Sequence, residues 1–329
     1  MALHISESEV RAVLTMHMAI EAVEEISRKQ ASGEVAVHPR RRFELPGGGF
    51  FHYMAAADFS AGFVAMKQYT YVQGKIRFLV PLYEMRTGDL VALIEADYMG
   101  QLRTGAASGV ATKHLSRQNS RVVAILGTGG QARTQLEAIA GVRKLESARV
   151  YGRNPAKREK FSKEMTDRLS FPVQTSASSS EAVRGADILC TATTAANPVV
   201  NGADLAPGVH MNAIGANHAH KRELDDEAVA SADVIVVDSI EQSRQEAGDL
   251  ILAFRGDEVC WTGVKKLSDV VARKSPGRTS DTEVTLFKSN GIASWDLAVA
   301  MKVYALAKEK GLGREWPLWA GKLPSQMSY

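Results

Sequence analysis

The chain has 329 residues and a mass of 35.6 kDa, which is enough for two domains or one large domain, each with a full core. Its 40 basic and 37 acidic residues leave a dispersed formal charge of +3, which argues against a nucleic-acid-binding surface or a polybasic membrane anchor. The two cysteines argue against a disulfide framework and a thiol metal site. The chain shows no signal-peptide pattern and no apolar run long enough for a membrane span, so we expect a cytoplasmic protein.

The first 118 residues predict a helix, a sheet and a second helix. Apolar residues at three- and four-residue spacing predict a helix over most of 7–32, namely Met16, Ala19, Ile20, Val23 and Ile26. Between 35 and 95, short apolar runs separated by glycine-containing turns predict an antiparallel sheet. The segment 97–116 again predicts a helix, and the polar stretch that follows indicates a domain boundary near residue 118.

From residue 121 the pattern alternates between apolar strands and helical segments. The predicted strands are Val122–Leu126, Ala148–Tyr151, Ile188–Thr191, Val209–Ile214 and Val234–Val237. Nearly unbroken β-branched runs of this kind are typical of a parallel sheet covered on both faces. We therefore predict a doubly wound α/β domain over residues 119–294, followed by a last helix over 295–312.

A glycine-rich segment, Gly127-Thr128-Gly129-Gly130-Gln131-Ala132, joins the first of these strands to a helical segment. The first glycine permits a tight turn, the second lets backbone approach a pyrophosphate, and Ala132 lets the helix pack on the strand. The start of the helix offers unpaired N–H donors to phosphates. The order of strand, turn, helix and strand predicts a Rossmann dinucleotide-binding domain with these six residues as cofactor contacts. The alternative is a glycine turn in a sheet that binds no nucleotide.

The end of the second strand indicates which cofactor binds. A carboxylate there would hold the ribose 2′-hydroxyl of NAD, but the chain has Gly152-Arg153-Asn154. Arg153 can fork onto a 2′-phosphate, so NADP is favoured and NAD stays possible, with Arg153 then lying along the adenine. Asn154 is included among the predicted contacts. Thr191, Ala192 and Thr193 follow another strand at the ligand-facing edge of the sheet and are also predicted to contact the cofactor.

Five ordered motifs then give a resemblance to a known family. Over about residues 5–312 the chain resembles the ornithine cyclodeaminase/mu-crystallin family, in the motifs Arg103–Ser108, Gly127–Arg133, Lys221–Asp225, Val237–Ser239 and Leu286–Gly291. The resemblance implies a discontinuous α+β substrate-binding and dimerisation domain, made of residues 1–118 and 295–329, beside the Rossmann domain. It also implies a homodimer formed through the N-terminal sheets and a small imino or amino acid as substrate. Thr104 and Ser289, which lie in these motifs, are added to the predicted cofactor contacts.

The resemblance also assigns residues to the substrate. Arg41 and Arg103 would hold its carboxylate, which suits a bidentate guanidinium, and Lys67 would lie near the reacting carbon, where a partly desolvated lysine can relay a proton. The run Arg40-Arg41-Arg42 leaves the first assignment open. Strand alternation points Arg41 away from its neighbours and favours it over Arg40 and Arg42. A solvated strand edge is the alternative for all three, and a snorkelling edge lysine is the alternative for Lys67.

Asn217 distinguishes between the reactions found in the family. Cyclodeaminases and alanine dehydrogenases carry an aspartate at this point, and an amide cannot accept a proton as a carboxylate does. We therefore predict an NAD(P)H-dependent reductase of an α-imino acid, with Lys67 and Asn217 as catalytic residues. The alternatives are a cyclodeaminase-type lyase that uses NAD catalytically and a mu-crystallin-like binder of a small ligand. His218 and His220 could supply an acid or a base, although loop histidines are often plain surface residues.

Overall fold

A computed structural model describes residues 1–318 and divides the chain into two compact units. Unit 1 contains Met1–Thr15, Gly33–Gly100 and the residues from Ala293 on, whereas unit 2 contains Met16–Ser32 and Gln101–Ile292. Residues 319–329, the end of the predicted substrate domain, lie outside the described residues. No helix within 1–318 combines the length and the apolar character that a membrane crossing requires.

The elements up to residue 115 alternate between helices and a long run of strands. In chain order they are β1 (Ala2–Ile5), α1 (Glu7–Val13), α2 (Met16–Ser32), β2 (Val35–Glu44), β3 (Gly49–Asp58), β4 (Phe63–Val72), β5 (Lys75–Glu84), β6 (Leu90–Glu95) and α3 (Asp97–Leu115). Helices cover most of 7–32, as predicted, but the segment is divided in two, because Leu14 adopts an extended conformation and separates α1 from α2.

The remaining elements alternate strand and helix before a long final helix. In chain order they are β7 (Val122–Leu126), α4 (Gly130–Val142), β8 (Ser147–Tyr151), α5 (Pro155–Leu169), β9 (Val173–Thr175), α6 (Ser179–Val183), β10 (Ile188–Thr191), β11 (His210–Ala213), α7 (Asp226–Ala230), β12 (Val234–Val237), α8 (Ile240–Glu246), α9 (Gly248–Phe254), α10 (Glu258–Thr262), β13 (Lys265–Lys266), α11 (Leu267–Val271), β14 (Thr285–Lys288), α12 (Ala293–Glu309) and β15 (Arg314–Trp316).

The sheet of unit 1 is mainly antiparallel, as predicted. Its seven described strands follow the order β15-β1-β6-β5-β4-β3-β2, and β1, which sequence analysis missed, pairs in parallel with β6. The ten-residue strands β2, β3, β4 and β5 form a meander in which alternate side chains face opposite sides. Helix α12 covers one of these sides, since Phe63 of β4 contacts Tyr304 of α12 edge to face at 6.3 Å.

The sheet of unit 2 is parallel and is covered on both faces, which confirms the predicted doubly wound fold. Its order is β13-β12-β14-β11-β10-β7-β8-β9, so the direction of winding reverses between β7 and β10. Alternate residues of β7 supply the two cores, with Val123 and Ile125 in one and Ala124 and Leu126 in the other. Ligands bind at such a reversal, beyond the carboxyl ends of the strands.

Unit 1 ends at Gly100, inside α3, whereas the predicted domain boundary near residue 118 follows that helix. Close helix packing within unit 2 explains the difference. A Cβ placed on Gly105 of α3 would lie 2.5 Å from the carbonyl oxygen of Thr134 on α4, so this glycine lets the two backbones approach. Ile20 of α2 lies 3.2 Å from the equivalent position on Gly109. Sequence alone marked the polar stretch after α3, which lies on the surface of unit 2.

Candidate active site

The glycine-rich turn lies in unit 2 where β7 and β10 diverge. Gly127 follows β7 with a φ of +118°, a left-handed conformation in which a side chain is strained, and a Cβ there would lie 2.4 Å from the carbonyl oxygen of Ala192. Gly129 caps α4, and a Cβ on it would meet no protein atom within 4 Å. Ala132 is fully buried in the core beside Ile125. Each small residue thus has the predicted geometric function.

A cavity of about 590 Å³ opens at this turn. Of the predicted cofactor contacts, seven line it, namely Gly127, Thr128, Gly129, Arg153, Asn154, Ala192 and Thr193. The other six do not, namely Thr104, Gly130, Gln131, Ala132, Thr191 and Ser289. The bare backbone at Gly129 leaves open the space that a pyrophosphate needs at the start of α4, so the residues present fit a dinucleotide.

Sequence analysis missed a side chain that holds the turn from behind. Arg133 donates to the carbonyl oxygens of Thr128 and Gly129 at 2.9 and 3.0 Å, and it forms a forked pair with Glu164 of α5 at 2.8 and 2.7 Å. The Arg133 hydrogen bond keeps the pKa of the Glu164 carboxyl below its usual value. A positive charge in the first turn of a helix is destabilised by the positive end of the helix dipole. The four hydrogen bonds of Arg133 offset this cost.

Two basic side chains line the cavity between the end of β8 and the first turn of α5. Arg153 is exposed, and within residues 1–318 its guanidinium makes no hydrogen bond or ion pair. Lys157, which was not predicted, lines the same cavity. The Asn154 side-chain oxygen accepts from the backbone N–H of Lys157 at 3.0 Å and caps α5, so helix capping accounts for this residue. Arg158 donates to the carbonyl oxygen of Gly152 at 2.8 Å and fixes the loop that carries Arg153.

A buried carboxylate, Glu223, joins the loops that follow β10 and β11. It accepts from the Thr191 hydroxyl, the Thr193 N–H and the Gly215 N–H, each at 2.7 Å. Burial raises the pKa of this carboxyl. The Thr191 hydroxyl is therefore used inside the protein, and Thr193 is the residue that faces the cavity. Glu223 lies in the Lys221–Asp225 motif, but its function depends on contacts that the spacing does not show.

Asn217 lies two residues beyond the loop position that Glu223 fixes. Lys288, fully buried, donates to the carbonyl oxygen of Ala216 and pairs with Asp249 at 2.9 Å. Asp249 in turn accepts from the N–H groups of Glu223 and Leu224 at 2.6 and 2.9 Å. These contacts hold the backbone before Asn217. The rings of His218 and His220 lie 5.7 Å apart in the same loop, half-buried and exposed respectively.

Arg103 lies on α3 with only 5% of its surface exposed. A Cβ on Gly291 would lie 2.5 Å from its Nη1, so the bare glycine at a φ of +81° makes room for the guanidinium. Asp238 holds this glycine loop, because its carboxylate accepts from the N–H groups of Asn290 and Gly291 at 2.7 and 2.6 Å and from Ser289 at 3.1 Å. Ser289 is thus placed by Asp238 beside the residue predicted to hold the substrate.

Lys67 forms a buried ion pair in unit 1. Its Nζ lies 3.1 Å from the Oδ1 of Asp296 on α12, and the two side chains are 5% and 1% exposed. The ammonium also lies 4.9 Å from the centre of the Phe78 ring. This burial removes the snorkelling alternative for Lys67, whereas its catalytic role stays a prediction. Asp296 was not among the predicted residues.

The three consecutive arginines of β2 do not all lie on the Lys67 side of the sheet. Arg41 pairs with Tyr53, which pairs with Gln68, so Arg41 faces away from Lys67. Arg42 pairs with His52 on the Lys67 side, where its guanidinium stacks on Phe50 at 4.4 Å. A bulge between His38 and Arg41 leaves Pro39 and Arg40 together opposite Met54, the partner of Lys67, so the pairing does not assign Arg40 to either side. The preference for Arg41 thus stays a prediction, with Arg40 and Arg42 open.

Known proteins share this architecture. The model of the ornithine cyclodeaminase/mu-crystallin family matches residues 3–311. A Δ(1)-pyrroline-2-carboxylate reductase of Bacillus cereus is 38% identical over 239 residues, 72% of this chain and 73% of the reductase. The Thermococcus litoralis Δ(1)-pyrroline-2-carboxylate reductase in complex with NADH and L-proline has a TM-score of 0.91 at 36% identity, over 95% of this chain and 100% of that chain. An archaeal alanine dehydrogenase dimer with bound NAD has a TM-score of 0.89 at 34% identity, over 95% and 98%.

Proposed function

Because the chain belongs to the ornithine cyclodeaminase/mu-crystallin family, we propose that it is an NAD(P)H-dependent reductase of an α-imino acid. The observation that carries the proposal is the cavity at the glycine-rich turn, where the winding of the parallel sheet reverses, in a chain whose relatives include imino-acid reductases. Asn217 supports a reductase over a cyclodeaminase, since its amide can orient an imine or a water molecule but cannot manage a second amine as a carboxylate can.

The reaction joins a hydride and a proton to a C=N bond and yields an amine. When bound, the dinucleotide supplies the hydride to the carbon. Most of the rate enhancement then comes from holding the substrate in the geometry that the hydride transfer needs. We assign the proton on nitrogen to Lys67 and the substrate carboxylate to the forked guanidinium of Arg103. One of Arg40, Arg41 and Arg42 is the second carboxylate ligand, and Asn217 orients the imine nitrogen or an ordered water.

The test is a spectrophotometric screen of the wild-type protein with NADPH and NADH. The substrates are pyrroline-2-carboxylate, piperideine-2-carboxylate, and pyruvate with ammonia or methylamine. We expect oxidation of the cofactor with at least one imine. Ornithine is assayed separately for proline and ammonia. Proline and ammonia formed faster than any imine is reduced would replace the reductase by a lyase, and tight ligand binding without turnover would favour a mu-crystallin-like binder.

We also propose that NADPH is the preferred cofactor. Arg153 and Lys157 place two cations at the adenosine end of the cavity, and no carboxylate lines this cavity within the described residues. A 2′-phosphate there would be held by charge-assisted hydrogen bonds, whereas a bare 2′-hydroxyl would leave both cations in water.

Arg153→Ala is expected to weaken NADPH binding by about 1 to 3 kcal/mol, roughly 5- to 150-fold, and to leave NADH binding within about twofold. Titration of each cofactor by nicotinamide fluorescence measures both constants. Arg184→Ala is the matched control, because Arg184 is an exposed arginine of unit 2 that pairs with Asp204 and does not line the cavity. Equal losses for both cofactors, or tighter NADH binding by the wild type, would contradict the preference.

A homodimer completes the proposal. The face of the unit 1 sheet that carries Arg41 also carries stacked aromatic rings, with Phe43 58% exposed and 5.9 Å from Tyr53. An exposed aromatic surface on a long sheet is typical of a face that pairs with another protein. The archaeal alanine dehydrogenase, which this chain resembles along 95% of its length, is a dimer. The proposed site requires no nucleic acid, membrane or metal partner.

A further inference from the structure

The ion pair between Lys67 and Asp296 is buried in unit 1, with the two side chains 5% and 1% exposed. The two residues are far apart in sequence and come together because α12 covers the face of β4 that carries Lys67. Gly100 at the start of α3 leaves room for the ammonium, since a Cβ there would lie 3.1 Å from Nζ. The protein therefore builds a tight enclosure around one lysine nitrogen, with a carboxylate on one side.

Other titratable groups near Lys67 are arranged differently. On the same face of β3 and β4, His52 Nδ1 and the Tyr69 hydroxyl are hydrogen-bonded to each other at 2.5 Å. Asp97 of α3 accepts from the N–H of Phe78 on β5 at 3.1 Å. On β2, Arg42 pairs with Glu44 at 2.5 Å, and Arg40 lies in the bulge between His38 and Arg41. The carboxylate of Asp296 is the acidic group that the structure places in ion-pair contact with Lys67.

We propose that Asp296 is a positioning residue that holds Lys67 as an ammonium ion, so that Lys67 donates a proton to the imine nitrogen during reduction. This inference rests on the proposed reductase function and deepens it. Reduction forms a C–H bond from the hydride and an N–H bond from the Lys67 proton. Lys67 is left as a neutral amine and regains its proton from solvent. In amine oxidation the same lysine accepts the proton.

The physical reason is the cost of burying a cation. An isolated ammonium taken from water into an apolar enclosure loses hydration and favours its neutral form, whereas a carboxylate in contact reverses that preference. The Phe78 ring face adds a smaller attraction. An ammonium has no lone pair, so a lysine held in this form protonates an imine instead of attacking it. Asp296 thus selects acid catalysis over a covalent adduct.

Asp296→Asn tests the inference, because it removes the charge and nearly preserves the shape. If Lys67 is the proton donor, we expect kcat/KM for imine reduction by the wild type to fall at high pH, where the donor is lost. In Asp296→Asn we expect kcat/KM to fall at a pH about one unit or more lower than in the wild type. The reason is that the carboxylate that favours the charged form of Lys67 has been removed. In the reverse reaction, amine oxidation, the rate rises with pH, and we expect this rise to occur at a correspondingly lower pH in Asp296→Asn. The substrate ionises identically with both enzymes, so the difference between the two profiles isolates the enzyme group.

Two variants separate positioning from folding. Asp296→Glu retains the carboxylate, so we expect its pH profile to return toward that of the wild type. Asp58→Asn removes another buried carboxylate of unit 1, four register positions along β3 from Met54, where it accepts from Ser60 and Ala61. We expect Asp58→Asn to lower the melting temperature and leave both pH limbs in place. Limbs that are unmoved in a folded Asp296→Asn protein would overturn the inference.

Competitive acetylation followed by mass spectrometry reads the lysine without any turnover. Restricted access of the reagent slows the labelling of Lys67 by the same factor at every pH and leaves the pH of half-maximal labelling unchanged, so we compare this midpoint with that of exposed Lys75 in the same molecule. We expect the Lys67 midpoint in the wild type to equal or exceed that of Lys75. A midpoint near neutral pH would overturn the inference even if Asp296→Asn does not fold. A high midpoint in a protein that reduces no imine would instead refute only the proposed function.

Discussion

Lys67→Met is expected to lower kcat for imine reduction by about a thousand-fold, within the range of general acid catalysis, and to leave NADPH binding within about twofold. Methionine has nearly the length of lysine but carries no proton to donate. Lys67 is not among the residues that line the dinucleotide cavity, so we expect cofactor affinity to change little when its side chain is replaced. Stopped-flow turnover and cofactor titration measure the two quantities.

Stability has to be separated from chemistry in this experiment. Removing one partner of a buried ion pair costs about 3 to 5 kcal/mol, because the other charge is left without compensation. The double variant Lys67→Met/Asp296→Asn removes both charges, and we expect it to melt closer to the wild type while staying inactive. Lys75→Met, at an exposed position of β5, is the control that keeps full activity. A raised KM with an unchanged kcat would show that Lys67 binds substrate and does not transfer a proton.

Arg103→Leu is expected to lower kcat/KM by about 100- to 1,000-fold, or roughly 3 to 4 kcal/mol, mostly through loss of the carboxylate clamp. Leucine occupies much of the space beside Gly291 but offers no hydrogen-bond donor. Arg103→Lys keeps the charge and loses the fork, so we expect an intermediate value dominated by KM. Steady-state kinetics and thermal denaturation are measured on each variant.

Arg143 provides the matched control for a buried arginine of unit 2. It is 7% exposed, and its donors reach the Ser116 hydroxyl and several backbone carbonyls around the end of α3. Burial lowers the pKa of this guanidinium. Arg143→Lys should therefore lower the melting temperature and leave kcat/KM nearly unchanged. If Arg103→Leu behaved like Arg143→Lys, Arg103 would be a structural residue and the substrate assignment would fail.

The glycine-rich turn of the site could be predicted from sequence, because its backbone conformation and packing depend on a few consecutive residues. Gly127, Gly129 and Ala132 are constrained by the strand, turn and helix that contain them, and the structure gives each one the expected geometry. The parallel sheet could be predicted because its buried strands are nearly continuous apolar runs. Asn154 also caps α5 before Pro155, so its presence in the sequence has a local structural reason, and its contact with the cofactor stays a prediction.

The choice among the three arginines could not be made from sequence. Alternation along β2 separates Arg41 from Arg40 and Arg42 but does not say which side carries Lys67. The side depends on the pairing of β2, β3 and β4 and on the bulge that shifts the register by one residue. A register shift of one residue moves the side chains beyond it to the opposite face of the sheet. Alternation along the sequence therefore cannot assign faces across a bulge.

The sequence by itself determined the family and the dinucleotide fold, since both rest on motifs confined to a few consecutive residues. The tertiary structure alone decided what surrounds these residues. Asp296 lies on the last long helix and Lys67 on the fourth strand, and Glu223 joins loops that follow two different strands. A buried charge needs a partner of opposite charge or a hydrogen-bonding group. Which residue provides that partner depends on how whole helices and strands pack together, and a local sequence pattern does not contain this information.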